Sequence, residues 1–384
     1  MHPGPAVLMD AAPAAGSLVH PTGRLGSRPA RELAARPTSS PRYTWPAVTL
    51  DDRFDELVSA LSGFYRTWVV YLGLELGFFA TLRSAGSDGL TADELANRTG
   101  CQLEPSRAWT RAAHAFDLIG AAGERAVVDE DVAVVLLDEQ RPEYLGGQFL
   151  ATIVASLDYE RMADFFRTGR PFVNRPARFR RAIERLTVQD IAVFFEEALA
   201  LLPDLVVALA RGGRVVDIHC GGGRWLIAMA RRFPDLELVG VEFEPDSAER
   251  AVANVAATGL ERRIRIETSD IPTMGHAGEF DLAYFQYALH QLADPVGSLR
   301  AAWAAVRPGG RLLVLDWCLP STPDDDRTLL GQLLWGIHLD ELFMGSRLYP
   351  REGFVELFER AGLPAPELID LPSGASLFVA ARAG

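Results

Sequence analysis

The chain of 384 residues is 48% apolar and 23% charged, with a formal net charge of -13. That length exceeds one ordinary core and predicts two domains plus a tail, and the composition excludes a disordered or fibrous protein. The acidic balance disfavours nucleic acid as a partner, and no apolar run reaches the roughly 18 to 20 residues of a spanning helix. Cys101, Cys220 and Cys318 are scattered without a C-x-x-C pair, so neither disulfides nor a metal site is expected. A cytoplasmic protein without a membrane partner is the reading.

Residues 1–48, rich in Pro, Ala, Gly, Ser and Arg, read as a disordered leader. From Asp51 onward Phe54, Leu57, Val58, Leu61, Phe64, Trp68, Tyr71 and Leu72 recur at helical spacing, and Gly73 and Gly77 share a face on which another helix can approach. Thr91 with Glu94 predicts a capped helix ending at Gly100, and a second helix follows from Pro105. The valine-rich stretch from Ala126 to Leu137 reads as the short strands of a wing. Further helices fill Tyr159 to Leu202, interrupted by Gly169, Pro171, Asn174 and Pro176. A helical domain over 49–185 and a second domain over 186–384 are expected.

Beyond Gly212 short apolar runs, RVVDI, LELVGV, IRIE, DLAYF and RLLVLDW, alternate with helical segments. This is the signature of an α/β doubly wound parallel sheet. The last runs, PELIDL and SLFVAA, lie too close for a crossover helix and predict an antiparallel hairpin.

In such sheets ligands sit beyond the carboxyl ends of the strands. In VVDIHCGGG, Asp217 ends a strand and Gly221, Gly222 and Gly223 let backbone approach a ligand, although alone this also reads as a tight turn. Glu242, followed by Phe243, ends the next run, where a carboxylate accepts both hydroxyls of a ribose. Asp270 and Ile271 follow IRIETS and suit the amino group and face of an adenine. The loop is not G-x-G-x-x-G, and Asp217 would repel a pyrophosphate, so a cationic nucleoside ligand is expected. Residues 333–345 read as a substrate-covering helix with Trp335, Phe343 and Met344 as walls and His338 as its odd member.

The order DIHCGGG, GVEFEP, SDIP, FDLAYFQYALHQL and VRPGGRLLVLDW resembles the class I S-adenosylmethionine-dependent methyltransferases. LGLELGFF followed by LTADELANRTG resembles the winged-helix dimerisation domain of the small-molecule O-methyltransferases, including bacterial natural-product enzymes. The resemblance implies a mostly parallel seven-stranded sheet and a homodimer. It also implies S-adenosyl-L-methionine held by Asp217, His219, Gly221, Gly223, Glu242, Phe243, Asp270, Ile271 and Gln286. The implied acceptor is an aromatic or polyketide-like small molecule. His290 in ALHQL matches the family's general base, and Asp316 a carboxylate that flanks it.

Three departures stand out. His219 takes a glycine's place in D-x-G-x-G-x-G, Gln291 and Leu292 replace Asp-Trp after the histidine, and Arg347 and Leu348 lie where a second carboxylate is expected. Methylation at carbon or nitrogen and cofactor-bound cyclisation without methyl transfer remain alternatives. A cofactor-sensing DNA-binding regulator is another, although the helix Glu104 to Asp117 presents Trp109, Ala112, Ala113 and Phe116 and reads as an interface.

Overall fold

The computed structural model describes residues 48–173 and 175–384. The expected leader lies, but for Val48, outside them. The chain divides into two compact units, residues 1–64 and 65–384. In the first, the described residues form the start of helix α1 (Leu50–Glu75), on which Leu50, Phe54, Leu57 and Leu61 are exposed.

The second unit begins with a helical part: α2 (Phe78–Ala85), α3 (Ala92–Thr99), α4 (Leu103–Ala115) and a hairpin of β1 (Gly120–Ala122) and β2 (Arg125–Val127). The Thr91 hydroxyl accepts the Glu94 N–H while the Glu94 carboxylate accepts the Thr91 N–H, so both predicted halves of the cap form. The valine-rich stretch corrects the sequence reading. Only Arg125–Val127 is extended, and Glu130–Leu137 is helix α5. Asp129 caps that helix by accepting the N–H groups of Asp131 and Val132, and Glu130 and Asp131 suit its positive end. Local capping therefore outweighs the β preference of valine.

Helices α6 (Gly146–Ser156), α7 (Met162–Thr168) and α8 (Ala177–Val193) follow. Helix α8 runs unbroken through residue 186, where sequence placed the domain limit. After α9 (Pro203–Ala210) the chain alternates: β3 (Gly213–Ile218), α10 (Arg224–Arg232), β4 (Leu236–Glu242), α11 (Pro245–Ala256), β5 (Ile264–Thr268), β6 (Phe280–Gln286), α12 (Pro295–Ala305) and β7 (Val306–Asp316). Two short strands, β8 (Cys318–Leu319) and β9 (Tyr349–Pro350), flank α13 (Leu329–Met344); α14 (Arg351–Ala361), β10 (Glu367–Asp370) and β11 (Ser376–Ala381) complete the chain.

The large sheet has seven strands in the order β10-β11-β7-β6-β3-β4-β5. Strands β3 to β7 pair in parallel, and β10 and β11 form the predicted antiparallel hairpin against β7. The period of two sorts side chains between two cores: Val215, Leu238, Leu282 and Leu313 face one, Val216, Val239, Ala283 and Leu312 the other. Asp217 shares the face of Val215, so a carboxylate is carried into the core at the strand's end.

In the helical part Gly73 faces Phe79 and Trp109, where a Cβ would lie 2.3 Å from the Phe79 ring. The Trp109 indole N–H donates to the Val69 carbonyl at 2.9 Å and fixes the ring there. The predicted close approach holds at Gly73 as a packing device for α2 and α4, but not at Gly77, which lies beyond the end of α1 with a left-handed φ of 70° as the N-cap of α2 and has no neighbour near its Cβ position. Gly73→Ala should destabilise this core by about 1–3 kcal/mol through overpacking, read as a lower urea midpoint at unchanged slope.

Candidate active site

The loop from β3 to α10 must reverse direction at once, and three residues take left-handed φ: His219 (64°), Gly221 (52°) and Gly223 (69°). Histidine enters this region more readily than branched residues do, and here it gains a partner. Its Nδ1 lies 3.1 Å from Oε1 and 3.0 Å from Oε2 of Glu242, and its ring stacks on Phe243 at 5.0 Å. Glu242 is fully buried and also accepts the N–H groups of Gly221 and Glu244, each at 2.9 Å. Burial alone would raise the Glu242 carboxyl, but His219 and the two N–H donors hold it below the usual carboxylate range. Burial opposes charge on His219, and Glu242 more than offsets it, so the imidazole is raised. The two form an ion pair at the floor of the loop.

Asp217 differs. It is 3% exposed and has no side-chain partner among the described residues. Burial, reinforced by Glu242 and opposed by His219, pushes its carboxyl up to about 8. It lines a cavity of about 930 Å³ at the carboxyl ends of the parallel strands, together with His219, Gly221, Phe243, Gln286 and His290.

His290 sits in the turn after β6, and Asp316 ends the adjacent β7. The imidazole Nδ1–H donates to Asp316 Oδ1 at 2.7 Å, and the Trp317 N–H donates to the same oxygen at 2.8 Å. On its other side Nε2 faces Glu341 Oε1 at 3.7 Å. Burial would lower this histidine, but Asp316 and Glu341 together push it up to about 10. Glu341, bonded also by the Ser346 hydroxyl, is held below the ordinary carboxylate range despite its burial.

Of the residues expected from sequence, the cavity wall gathers Asp217, His219, Gly221, Glu242, Phe243, Gln286 and His290, with Asp316 directly behind the imidazole. Gly223 serves instead as the N-cap of α10. Asp270 and Ile271 are not part of this wall. They follow β5, the edge strand, where Asp270 is exposed and Ile271 is buried in the core beneath the sheet.

Of the four residues chosen on α13, Met344 lines the cavity and the other three lie off the wall. Trp335 is 40% exposed and donates to Asp326, His338 accepts the Leu348 N–H, and Phe343 is buried against Phe165 and Phe172. The helix presents Leu333, Gly336, Ile337, Asp340, Glu341 and Met344 to the cavity instead. These recur at three- and four-residue spacing, a signal present in the sequence from which only Met344 was drawn. Glu341 is thereby the second carboxylate at His290, upstream of the stretch where it was sought. Asp190 on α8, Tyr287 and Trp317 are further wall residues that sequence reasoning did not single out.

Residues 191–365 match the family model described as a methyltransferase domain. A stretch of 138 residues is 30% identical to 27-O-demethylrifamycin SV methyltransferase of Amycolatopsis mediterranei, covering 35% of this chain and 50% of that protein. Another of 143 residues is 35% identical to O-demethylpuromycin-O-methyltransferase of Streptomyces alboniger, covering 36% of each. The chain thus matches half or less of the length of these curated relatives. Among solved structures, the mitomycin 7-O-methyltransferase MmcR aligns over 87% of this chain and 98% of that one, with a TM-score of 0.63 and 21% identity. PigF with SAH aligns over 87% and 99%, with a TM-score of 0.66 and 17% identity. The sheet and its flanking helices have the Rossmann-like methyltransferase fold. Residues 191–365 form a methyltransferase domain of the S-adenosylmethionine-dependent class.

The loop and its surroundings fit that cofactor at the cationic end. Asp217 is a buried carboxylate facing the cavity without a protein partner, which an ammonium or sulfonium group would complete. At the nucleoside end Glu242 would be the ribose partner expected from the sequence, and His219 and Phe243 adjoin it. His219 competes there, because it already holds both carboxylate oxygens.

Two substitutions separate these roles in calorimetric titrations with S-adenosylhomocysteine. Asp217→Ala should weaken binding by about 100-fold, the loss expected when a buried charge partner is removed. His219→Gly should tighten it by about tenfold, since it frees Glu242 and removes a left-handed non-glycine residue. Unchanged or weaker binding in the glycine variant would show that the imidazole supports the cofactor.

Proposed function

We propose that the protein transfers the methyl group of S-adenosylmethionine to a hydroxyl of a small natural-product acceptor, with His290 managing the hydroxyl's proton. The observation that carries this reading is the placement of His290 on the cavity wall, with Nδ1 fixed by Asp316 and Nε2 facing Glu341. The rifamycin and puromycin relatives, named for O-methylation, support it. When bound, the cofactor supplies an electrophilic methyl group on a positively charged sulfur.

The chain's own residues supply three things. Asp217 and Glu242 orient the cofactor from the carboxyl ends of β3 and β4. The cavity positions the acceptor, which for an in-line displacement is much of the catalytic effect. His290 takes the acceptor's proton on Nε2, while Asp316 holds the ring by Nδ1.

The electrostatics also narrow the acceptor. An imidazole raised to about 10 is protonated at neutral pH. A phenol, whose proton leaves near pH 10, matches it, so the imidazolium can stabilise a bound phenolate at little cost. An aliphatic alcohol, being far less acidic, is poorly matched. We read the acceptor as phenolic and the working form as a homodimer assembled through the N-terminal helices. On this reading α2 to α4 with the β1–β2 hairpin form a winged-helix domain, and the exposed apolar residues of α1 belong to the dimer contact. The cytoplasm is the expected compartment.

Activity should depend on pH through His290. Its neutral form is the base, and because the folded pKa is raised, that form grows as pH rises toward 10. The rate should therefore climb roughly tenfold per unit through neutrality, and Glu341→Gln should move the rising limb down by about one unit. His290→Asn should lower kcat by about 10²–10⁴ while leaving S-adenosylhomocysteine binding intact. Retention of the rate within a few fold would instead favour methylation at nitrogen or carbon, which needs no base.

A further inference from the structure

One buried carboxylate of the cavity is explained neither by a protein cation nor by the cofactor. Asp190, on α8, is 5% exposed, lines the cavity and has no side-chain hydrogen bond or ion pair among the described residues. Of the four arginines on the same wall, Arg175 pairs with Asp158 and Asp340, Arg180 with Asp246 and Arg250 with Glu184, while Arg224 is exposed at the start of α10; none of them bonds Asp190. Tyr287, whose hydroxyl is within electrostatic reach of Asp190, and Trp317 line the same cavity, their rings 5.4 Å apart and inclined by 31°. Tyr287 holds a left-handed φ of 48°, and its buried hydroxyl has no partner among the described residues.

A carboxylate without a counter-ion next to aromatic faces is the arrangement that binds an ammonium group, by charge and by cation–π attraction. We propose that Asp190, Tyr287 and Trp317 form an amine-recognition subsite, so that the methyl acceptor carries a basic nitrogen as well as the hydroxyl that is methylated. This deepens the methyl-transfer reading and rests on it, because the same cavity holds the acceptor. Asp190 is then a specificity residue and takes no part in the chemical step.

Burial, with Asp316 adding, pushes the Asp190 carboxyl up to about 8, so at neutral pH it is largely protonated before the amine arrives. Docking of an ammonium group ionises it, and the carboxyl proton leaves to solvent. A neutral Asp190 that instead donated to a carbonyl of the acceptor would gain nothing from an amine and would release no proton.

Tyramine and 4-ethylphenol share ring and hydroxyl and differ in the amine, and both can be titrated calorimetrically at pH 7 into wild type and Asp190→Asn, with and without saturating S-adenosylhomocysteine. Tyramine should bind wild type about tenfold or more tightly than 4-ethylphenol, and should release about one proton more than 4-ethylphenol does, measured by comparing buffers of different ionisation enthalpy. Asp190→Asn should erase both the preference and the extra proton, with S-adenosylhomocysteine affinity kept within about twofold as the check on folding. Trp317→Leu should reduce the preference independently.

Absence of tyramine binding to wild type, equal binding of the two phenols, or a preference that survives Asp190→Asn would overturn the subsite. Failure of wild type to bind S-adenosylhomocysteine would sink the methyl-transfer reading instead, and the tyramine comparison without it would still decide the amine subsite.

Discussion

Carboxylates withdrawn from water around one cavity are the constraint on which the rest of this structure depends. Asp190, Asp217, Glu242, Asp316 and Glu341 are all buried there, and each would cost several kcal/mol as an isolated ion. Two imidazoles meet part of that cost: His219 neutralises Glu242, and His290 stands between Asp316 and Glu341. Asp217 and Asp190 receive no such partner and are pushed toward their neutral forms. The site is thus short of positive charge at two separate places. A cationic cofactor would answer the first, and the amine-bearing acceptor we propose would answer the second.

The fold brings these charges together through the ends of its strands. Parallel pairing sets the carboxyl ends of β3, β4, β6 and β7 side by side, so residues as remote along the chain as Asp217 and Asp316 are brought to one end of the sheet. Two helices complete the wall: α8 contributes Asp190, and α13 contributes Glu341 from a stripe of cavity-facing positions. The two histidines divide the work by place. His219 belongs to the glycine-rich loop, whereas His290 follows β6 and is held by Asp316 at the end of β7. On the reading proposed above, the same electrostatic logic that raises both imidazoles would govern cofactor binding through the first and proton transfer through the second.

Much of the fold was legible because its signals are local. The alternation of short apolar runs with helical segments, the Thr91–Glu94 cap and the closing hairpin follow from period, capping and loop length, each set by near neighbours. The strand reading of residues 126–137 failed where two local signals conflicted, since the valines of Glu130–Leu137 favour a strand and Asp129 caps a helix. In the site, the residues after β3, β4 and β6 were readable from strand ends. Asp270 and Ile271 were not well placed by that rule because β5 lies at the sheet's edge. On α13 the aromatic residues drew attention, while the helix turned its less conspicuous stripe inward.

The sequence by itself determined the alternating α/β plan and the loop at Asp217, because strand period and glycine placement are properties of short segments, while the association of His290 with Asp316 came from the family resemblance. Only the tertiary structure decided that His219 closes on Glu242, that Glu341 supplies the second carboxylate and that Asp190 is left facing the cavity alone. Those outcomes depend on which helix face meets the cavity and on how far each charge lies from the next. Burial and distance between remote segments are fixed only when the chain has folded.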